Sequence, residues 1–461
     1  MRSHWMSLLL LWGGLWLAGC GAPQPELSHT NPSDGGDAAN VTIWWTKGFY
    51  FQEDEALEQL IQAWEAETGY QVELTLISQD DILKEAENAL EQGEPPDLFF
   101  SNAAEEMLIP RWAWQGQLRD VTAIVAPLER RYSPAAFKSA SLYNAQTNAR
   151  SIYAVPVLQR TVHVHYWRDL LAEAGFSDAD IPTEWDAFWH FWQDVQTQLR
   201  SPGNAAIYGL GLPMSSEASD TYSAFEQVLE AYDVELLDTT GQLQIQAPEI
   251  RQGIIDALTW YTQFYQAGVV PPAATNWTNG DNNDAFLNRQ VVMTVNPTLS
   301  IPGAQREDET TYREQLVTIE LPNEPDGESA QYLVAVKQAV IFATANQPEA
   351  AQEFLTYLLE PDNLGAYLEG SLGRYFPVMP EILDQPFWTD PNDPHIAMAT
   401  QVFAKDGNQA NYQALNPAYS QVKAQNIWGI AIEQIVVDQV SPAQAADTAI
   451  AAIEQIFQTW Q

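Results

Sequence analysis

Segments typical of strands and helices alternate along the chain after its first forty residues. Residues 41–45 form a short apolar run rich in β-branched and aromatic side chains, which predicts a strand. From about Glu53 onward, apolar residues recur at the spacing of one helix face. Residues 70–77 alternate apolar and polar positions, as a half-buried strand does. Residues 82–90 then predict a second amphipathic helix, and residues 97–100 predict a third strand.

This order of elements predicts parallel strands joined by right-handed crossovers, with helices covering the sheet. Ligands of such sheets bind beyond the carboxyl ends of the strands. Lys47 and Asn102 follow two of those ends and are candidate polar contacts, while Tyr50 is a candidate stacking ring. Glu53, in the first helical turn, is a candidate acceptor for a ligand hydroxyl, although a carboxylate there equally suits the helix dipole.

The first twenty residues predict a targeting segment. After Arg2, the uncharged and Leu-rich residues 5–17 are too few to span a hydrocarbon core of ~30 Å, but they suit a secretory signal peptide. The run ends in LAGC, whose Cys20 is the only cysteine of the chain, and it resembles the bacterial lipobox. We therefore expect residues 1–19 to be removed and Cys20 to be lipidated. Residues 20–40, rich in Pro, Gly, Ser and Asp, then predict a flexible tether.

The net charge of the chain argues against several classes of binding partner. The sequence contains 20 Lys and Arg against 61 Asp and Glu, a formal charge of −41. This excess argues against nucleic acid and against adsorption to an anionic bilayer, so we expect contact with the membrane through the lipid anchor only. It also favours neutral solutes over anionic ones. His163 and His165 share one strand face without an apparent third ligand, and we expect neither a metal nor another cofactor.

Five motifs in the right order resemble those of the family 1 extracellular solute-binding proteins, the maltose-binding-protein-like receptors of carbohydrate ABC importers. The motifs are ETG at residues 67–69, PDLF at 96–99, IYAVP at 152–156, YWRDLL to PTEWD at 166–186 and AFLNRQVVM at 285–293. The resemblance implies an α/β, two-lobed periplasmic-binding-protein fold of type II. Each lobe would be a mostly parallel sheet flanked by helices, and the lobes would close on a ligand by a hinge motion.

The resemblance also implies how the chain is divided and where it acts. We assign residues 41–158 and 291–341 to an N-lobe, and residues 159–290 and 342–461 to a C-lobe. The hinge crossings are expected near residues 157–160, 290–292 and 341–343. The implied function is a monomeric binding protein, not an enzyme, in the periplasm or at the cell surface. It would hand a neutral oligosaccharide, disaccharide or glycoside to permease subunits driven by separate ATPase subunits.

A sugar offers hydroxyls that donate and accept hydrogen bonds, together with an apolar ring face. The loop at residues 276–284 combines one large ring with many amides and acids. Trp277 is the candidate stacking ring of this loop, and Asn279 and Asp281 are candidate partners for hydroxyls. The alternative is an ordinary polar turn with Trp277 packed inward.

Four further residues lie where the resemblance places the cleft. Gln159 and Arg160 are at the first predicted crossing, where a side chain can face both lobes. Asn296 follows the strand at residues 291–295, and Arg374 lies on a late loop that reaches the cleft in family members.

Two alternatives to a neutral sugar receptor remain open at this stage. A secreted glycoside hydrolase needs a pair of carboxylates ~5–9.5 Å apart, and a chain with 61 acids has many candidates. The same importer role is also compatible with glycerol phosphodiesters or polyamines as the transported solute.

Overall fold

The computed structural model describes residues 40–200, 206–405 and 407–460. The predicted signal peptide, Cys20 and nearly all of the predicted tether lie outside these residues. Within the described ranges, no helix combines the length and the apolar character needed to cross a membrane.

The strands are β1 (Asn40–Thr46), β2 (Gln71–Ile77), β3 (Leu98–Ser101), β4 (Ser141–Asn144), β5 (Ala149–Ile152), β6 (Val155–Arg160), β7 (His163–Trp167), β8 (Tyr208–Gly211), β9 (Val291–Asn296), β10 (Leu316–Ile319), β11 (Leu333–Ile341), β12 (Phe376–Pro377) and β13 (Gln409–Ala410).

The helices up to β11 are α1 (Phe51–Thr68), α2 (Ile82–Gln92), α3 (Ala104–Met107), α4 (Ile109–Trp114), α5 (Thr122–Val125), α6 (Pro134–Ala140), α7 (Arg168–Glu173), α8 (Trp185–Leu199), α9 (Ser219–Ala231), α10 (Pro248–Gln266), α11 (Asp281–Leu287) and α12 (Ser300–Gly303). Those after β11 are α13 (Pro348–Leu358), α14 (Pro361–Glu369), α15 (Pro380–Leu383), α16 (Pro386–Thr389), α17 (Pro394–Phe403), α18 (Tyr419–Ala424), α19 (Ile427–Val436) and α20 (Pro442–Thr459).

The first lobe, the N-lobe, is built on a sheet in the order β12-β6-β11-β3-β1-β2, with β13 also paired to β11. Side chains alternate across this sheet, so that Leu98 and Phe100 enter one apolar core while Phe99 enters another on the opposite face. The predicted strand–helix order from β1 to β3 is confirmed, and β1 pairs in parallel with both β2 and β3.

Asp97, in the Pro-Asp motif before β3, links distant parts of the N-lobe through hydrogen bonds. Its Oδ2 accepts hydrogen bonds of 2.9 Å from both the backbone N–H and the hydroxyl of Thr42. Its Oδ1 accepts from the backbone N–H groups of Asn346 and Gln347, at 2.6 and 2.7 Å, just before α13. The motif is therefore structural, since it joins the strand to a helix far along the chain.

The second lobe, the C-lobe, has a sheet in the order β10-β7-β9-β8 and a single large aromatic core. Both sheets are mixed. Pairs β3–β11, β6–β11, β7–β9 and β7–β10 are antiparallel, which corrects the expected mostly parallel sheets. In the N-lobe, β11 returns from the C-lobe and runs antiparallel to both β3 and β6.

The lobes also differ from the predicted division in two places. Strand β9 pairs with β7, with His163 opposite Asn296, so residues 291–296 belong to the C-lobe rather than the N-lobe. The helices α13 to α16 bury their apolar faces in the N-lobe core, so this part of the predicted C-lobe belongs to the N-lobe. The crossings therefore lie at residues 161–162, 320–332 and 404–411, and only the first is close to a predicted position.

Candidate functional site

The candidate site is the cleft between the lobes, where N-lobe strand ends face helices α9 and α18 of the C-lobe. A cavity lined by Arg160, Thr161, Ser223 and Glu226 joins the two sides. It has an internal volume of about 20 Å³, which is room for roughly one water. The gap that this structure leaves between the lobes is therefore too small for a sugar.

The N-lobe contributes a buried ionic group to the cleft. Glu105 and Glu106 begin the short helix α3 directly after β3, which places them at a strand end. Glu105 is paired with Lys337 of β11, and both side chains are almost fully buried. Glu106 Oε2 lies 4.0 Å from Nη2 of Arg160 at the end of β6.

The C-lobe completes this group across the cleft. Lys423 of α18 places its Nζ 3.7 Å from Oε2 of Glu106 in the other lobe. The same ammonium lies 3.9 Å from the ring centroid of Tyr222 and 3.4 Å from the hydroxyl of Ser223, both on α9. Glu226, one turn further along α9, lines the same cavity. We call Glu105, Glu106, Arg160, Lys337, Lys423 and Glu226 the cleft cluster.

Burial and neighbouring charges act in opposite directions on the two acids that face each other. Burial disfavours ionisation of Glu106, but the positive charges of Lys423, Lys337 and Arg160 outweigh it and lower the pKa of Glu106 to about 2. Burial raises the pKa of Glu226 to about 7; Lys423 partly offsets this, while the charge of Glu106 adds to it. One carboxylate of the cleft is thus firmly ionised, and the other titrates near neutral pH.

Several buried polar atoms around the cleft have no hydrogen-bond partner among the described residues. They are Asn102 Oδ1, Glu105 Oε2, Arg160 Nε, Tyr222 OH, Glu226 Oε1 and both amide atoms of Gln413. A buried polar atom without a partner costs ~1–3 kcal/mol, so such atoms are few in folded proteins. Arg160 from the N-lobe and Glu226 from the C-lobe line the same cavity, whereas Asn102, Glu105 and Gln413 line neighbouring gaps. An unpartnered donor and acceptor from opposite lobes at one gap suit a solute with hydroxyls.

A second ionic contact lies beside the cleft cluster. Arg374 Nη1 is 3.4 Å from Glu53 Oε1, and the guanidinium stands 4.9 Å from the ring centroid of Phe49. Burial raises the pKa of Glu53, and Arg374 partly offsets this. Tyr50 reaches the other lobe, where its hydroxyl donates to the carbonyl oxygen of Ser300 at 3.4 Å. Lys47 is exposed at the same edge of the sheet.

Asn102, predicted from its position at a strand end, and Arg160, predicted from its position at the first crossing, both lie at the cleft. Gln159, predicted together with Arg160, points to the opposite face of β6. The amide of Gln159 donates to the carbonyl oxygen of Pro377 at 2.7 Å. Ligand contact by Lys47, Tyr50, Glu53, Asn102, Arg160 and Arg374 stays a prediction.

The loop before α11 does not have the predicted role in this structure. Trp277 is 7% exposed and packs in the C-lobe core, so the inward alternative describes it better than stacking on a ligand. Asn279 Oδ1 accepts from the backbone N–H of Ser219 at 2.7 Å and thereby holds the start of α9. Asp281 Oδ2 accepts from the backbone N–H and hydroxyl of Thr278 within its own turn.

Asn296 is likewise engaged within its lobe. Its Oδ1 accepts from the backbone N–H of Thr298 at 2.9 Å, and its amide nitrogen bonds Asn283 Oδ1 at 2.5 Å. His163 and His165 are buried, and Nδ1 of His165 bonds the Thr318 hydroxyl at 2.9 Å. Across the described ranges no group of three or more His, Cys, Asp or Glu side chains is arranged to hold a metal ion.

Sequence reasoning missed the cleft cluster apart from Arg160. Glu105 and Glu106 follow the third predicted strand within five residues, so the strand-end argument could have included them. Glu226 and Lys423 carry no such signal, because charges on an amphipathic helix usually mark a solvated face.

Comparisons with known proteins identify the family of the chain and the fold that it shares. A sequence profile of the family described as bacterial extracellular solute-binding protein matches residues 59–398. The Escherichia coli K12 protein YcjN, which carries the name of an ABC transporter periplasmic-binding protein, is 25% identical over 360 residues, or 76% of each chain.

Solved structures share the fold. The cyclic alpha-maltosyl-1,6-maltose binding protein of Arthrobacter globiformis is 19% identical, with a TM-score of 0.73 over 92% of this chain and 100% of its own. Maltose-bound MalE3 of T. maritima is 18% identical, with a TM-score of 0.70 over 90% and 99% of the two chains. At these identities the likeness establishes the fold, and the predicted two-lobed architecture is confirmed.

Proposed function

Because the chain belongs to the family of bacterial extracellular solute-binding proteins, we propose that it is the receptor of an ABC importer and captures a neutral sugar between its lobes. The name of YcjN supports the ABC assignment, and the maltose and maltosyl-maltose in the names of structural relatives support the ligand class. The observation within this chain that carries the proposal is a pair of unpartnered buried atoms from opposite lobes, Arg160 Nε and Glu226 Oε1, whose residues line one cavity of the cleft.

The chemistry of the cleft favours a solute that is neutral and rich in hydroxyls. Arg160 Nε can only donate a hydrogen bond. Asn102 Oδ1, and Glu226 Oε1 when it is ionised, can only accept one. A sugar hydroxyl can donate and accept, so it satisfies either kind of group. The three cations of the cleft cluster are balanced by its three carboxylates when Glu226 is ionised, which leaves little net charge to attract an ion. We propose direct contacts from Arg160, Glu106, Lys423 and Glu226, with Tyr50, Glu53, Asn102 and Arg374 beside them and Lys47 at the rim.

Thermal unfolding in the presence of candidate solutes tests the ligand class. The panel contains maltose, trehalose, sucrose, glycerol 3-phosphate and spermidine, each at increasing concentration. A bound ligand at one hundred times its Kd adds ~2.7 kcal/mol to the free energy of unfolding, which is a clear rise in Tm. We expect a neutral sugar to raise the Tm; a response to the phosphate or the polyamine alone would contradict the proposed ligand class.

A matched pair of variants then locates the site. Arg160→Leu removes a cleft donor and should abolish the sugar-dependent rise in Tm, whereas exposed Arg130→Leu should retain it. An unchanged response in Arg160→Leu would place the ligand elsewhere. Incubation of the wild-type protein with the bound sugar, followed by chromatography, should return the sugar intact. Turnover would instead support the glycoside hydrolase.

We further propose that the mature protein is a monomer, is lipidated at Cys20 and works outside the cytoplasm beside separate permease and ATPase subunits. The support is the LAGC run around the only cysteine of the chain, which lies outside the described residues. One acyl chain binds a membrane weakly, and several together anchor it. Cys20→Ala should move the protein to the soluble fraction after cell lysis; continued sedimentation with membranes would contradict the anchor.

A further inference from the structure

A second and much larger cavity lies on the opposite face of the hinge strands. It has a volume of about 790 Å³, within the usual range of small-molecule sites, whereas the cavity of the cleft holds about 20 Å³. We call it the hinge cavity. Its walls come from helices α6, α15, α16 and α17 of the N-lobe and from the crossing that leads to β13.

The alternation of side chains along the hinge strands separates this cavity from the cleft. On β6, Arg160 lines the cleft while Gln159 lines the hinge cavity. On β11, Leu333 lines the cleft while Val334 lines the hinge cavity. The two sites therefore lie on opposite faces of the same pair of strands, and no residue lines both.

A glutamine on or next to each of the three lobe crossings lines the hinge cavity. Gln159 lies two residues before the first crossing, Gln331 is the next-to-last residue of the second, and Gln409 lies in the third. Two of these amides are joined, since Gln409 Nε2 lies 3.3 Å from Gln331 Oε1. Gln409 Nε2 also donates to Glu230 Oε1 of α9, at 3.1 Å. A molecule in the hinge cavity would therefore touch the second and third crossings and the strand that leads into the first.

The lining defines the class of molecule that fits. Thr389 and Thr400 donate their hydroxyl protons to main-chain carbonyls, so their oxygens remain free to accept. Asn408 Oδ1 is a buried acceptor without a partner among the described residues. Leu383 and Phe403 supply an apolar wall. The lining also contains Lys138, Asp384 and Lys405, and Lys405 is paired with Glu320. Acceptors and charges of both signs beside an apolar surface suit a molecule without net charge that has many hydroxyls and a hydrophobic ring face.

We infer that the hinge cavity is a second binding site, for a neutral polyhydroxylated molecule of up to disaccharide size, and that its occupancy alters the affinity of the cleft. A ligand shifts a conformational equilibrium only if it binds the two states differently. Contact with the second and third crossings and with the strand before the first provides that difference, because the crossings change conformation when the lobes rotate. The coupling is reciprocal, so a cleft ligand changes the affinity of the hinge cavity by the same factor. The coupling to the cleft rests on the proposed function, whereas the existence of a binding site in the hinge cavity does not.

The test separates the two sites by substitution. Calorimetric titration uses trehalose and sucrose as probes on the purified full chain carrying Arg160→Leu, which disables the cleft. We expect saturable binding at one site. Adding Ala135→Trp, which fills the cavity from α6, or Asn408→Leu, which removes the free acceptor, should weaken that binding at least tenfold. The exposed control Gln62→Leu should leave it unchanged.

Absence of saturable binding to the Arg160→Leu chain would overturn the inference, and so would unchanged binding in Asn408→Leu. Asn408→Leu keeps the test decisive if Ala135→Trp does not fold, and circular dichroism checks both variants. In the chain with an intact cleft, saturating probe should change the Kd of the cleft ligand at least fivefold, and Asn408→Leu should abolish this effect. Loss of cleft binding with retained cavity binding would refute the proposed function alone.

Discussion

Replacing Glu226 by glutamine should make the protein more stable at neutral and alkaline pH and leave it nearly unchanged in acid. Glu226 is 3% exposed, its Oε1 has no partner among the described residues, and the nearby Lys423 is paired with Glu106 at 3.7 Å. Glutamine keeps the shape of the side chain and removes its proton equilibrium. The substitution therefore isolates the cost of ionising this one buried group.

The magnitude follows from the pKa of Glu226, which burial raises from 4.5 to about 7. A carboxyl group with a raised pKa in the folded state holds its proton more tightly when folded. Its contribution to stability is complete below pH 4.5 and is lost as the pH rises through 7. At about 1.36 kcal/mol per pKa unit, the loss amounts to about 3 kcal/mol. Glu226→Gln avoids this loss.

Urea unfolding at half-unit steps from pH 4.5 to 8.5 measures the difference in the free energy of unfolding between Glu226→Gln and wild type. We expect this difference to grow by about 3 kcal/mol between pH 4.5 and 7 and then to stay constant. Glu230, whose pKa burial also raises to about 7, is present in both proteins and cancels. Exposed Glu217→Gln is the control and should show no pH-dependent difference. A flat difference for Glu226→Gln would refute the reasoning about burial.

Three further substitutions test other parts of the structure. Lys337→Met leaves Glu105 buried without its cation and should lower the free energy of unfolding in urea by ~3–5 kcal/mol. The double variant with Glu105→Leu should recover most of that loss. No recovery would argue against the ion pair. Trp277→Ala should cost ~3–5 kcal/mol in stability with an unchanged sugar Kd, and weaker binding at unchanged stability would restore the stacking role. Gly303→Ala should weaken sugar binding, because a methyl group there would lie 2.2 Å from the Tyr50 hydroxyl and would oppose closure of the lobes. Tyr50→Ala in the same chain should relieve this effect. An unaffected sugar Kd in Gly303→Ala would contradict the steric argument.

Local patterns predict local structure well in this chain. The apolar run of β1, the face of α1 and the alternation of β2 follow directly from the sequence, because each depends on neighbours along the chain. The strand-end argument likewise places Asn102 at the cleft, and the predicted first crossing places Arg160 there. The extracellular solute-binding family was also identified correctly from motifs.

Features that depend on distant partners are the ones the sequence does not reveal. The membership of β9 in the C-lobe sheet is set by pairing with β7, more than a hundred residues earlier. Trp277 lies in a polar segment of the sequence, yet its ring packs in the C-lobe core. The approach of Lys423 to Glu106 joins α18 to α3 across the cleft, and neither charge differs locally from an exposed one.

The central claim is that a neutral sugar is held between the lobes by side chains of both. A crystal structure of the chain grown with the sugar that raises its Tm most tests this claim directly. We predict the intact sugar in the cleft, within hydrogen-bond distance of Arg160 from one lobe and of Glu226 or Lys423 from the other. A sugar bound outside the cleft, or contacting one lobe only, would contradict the account.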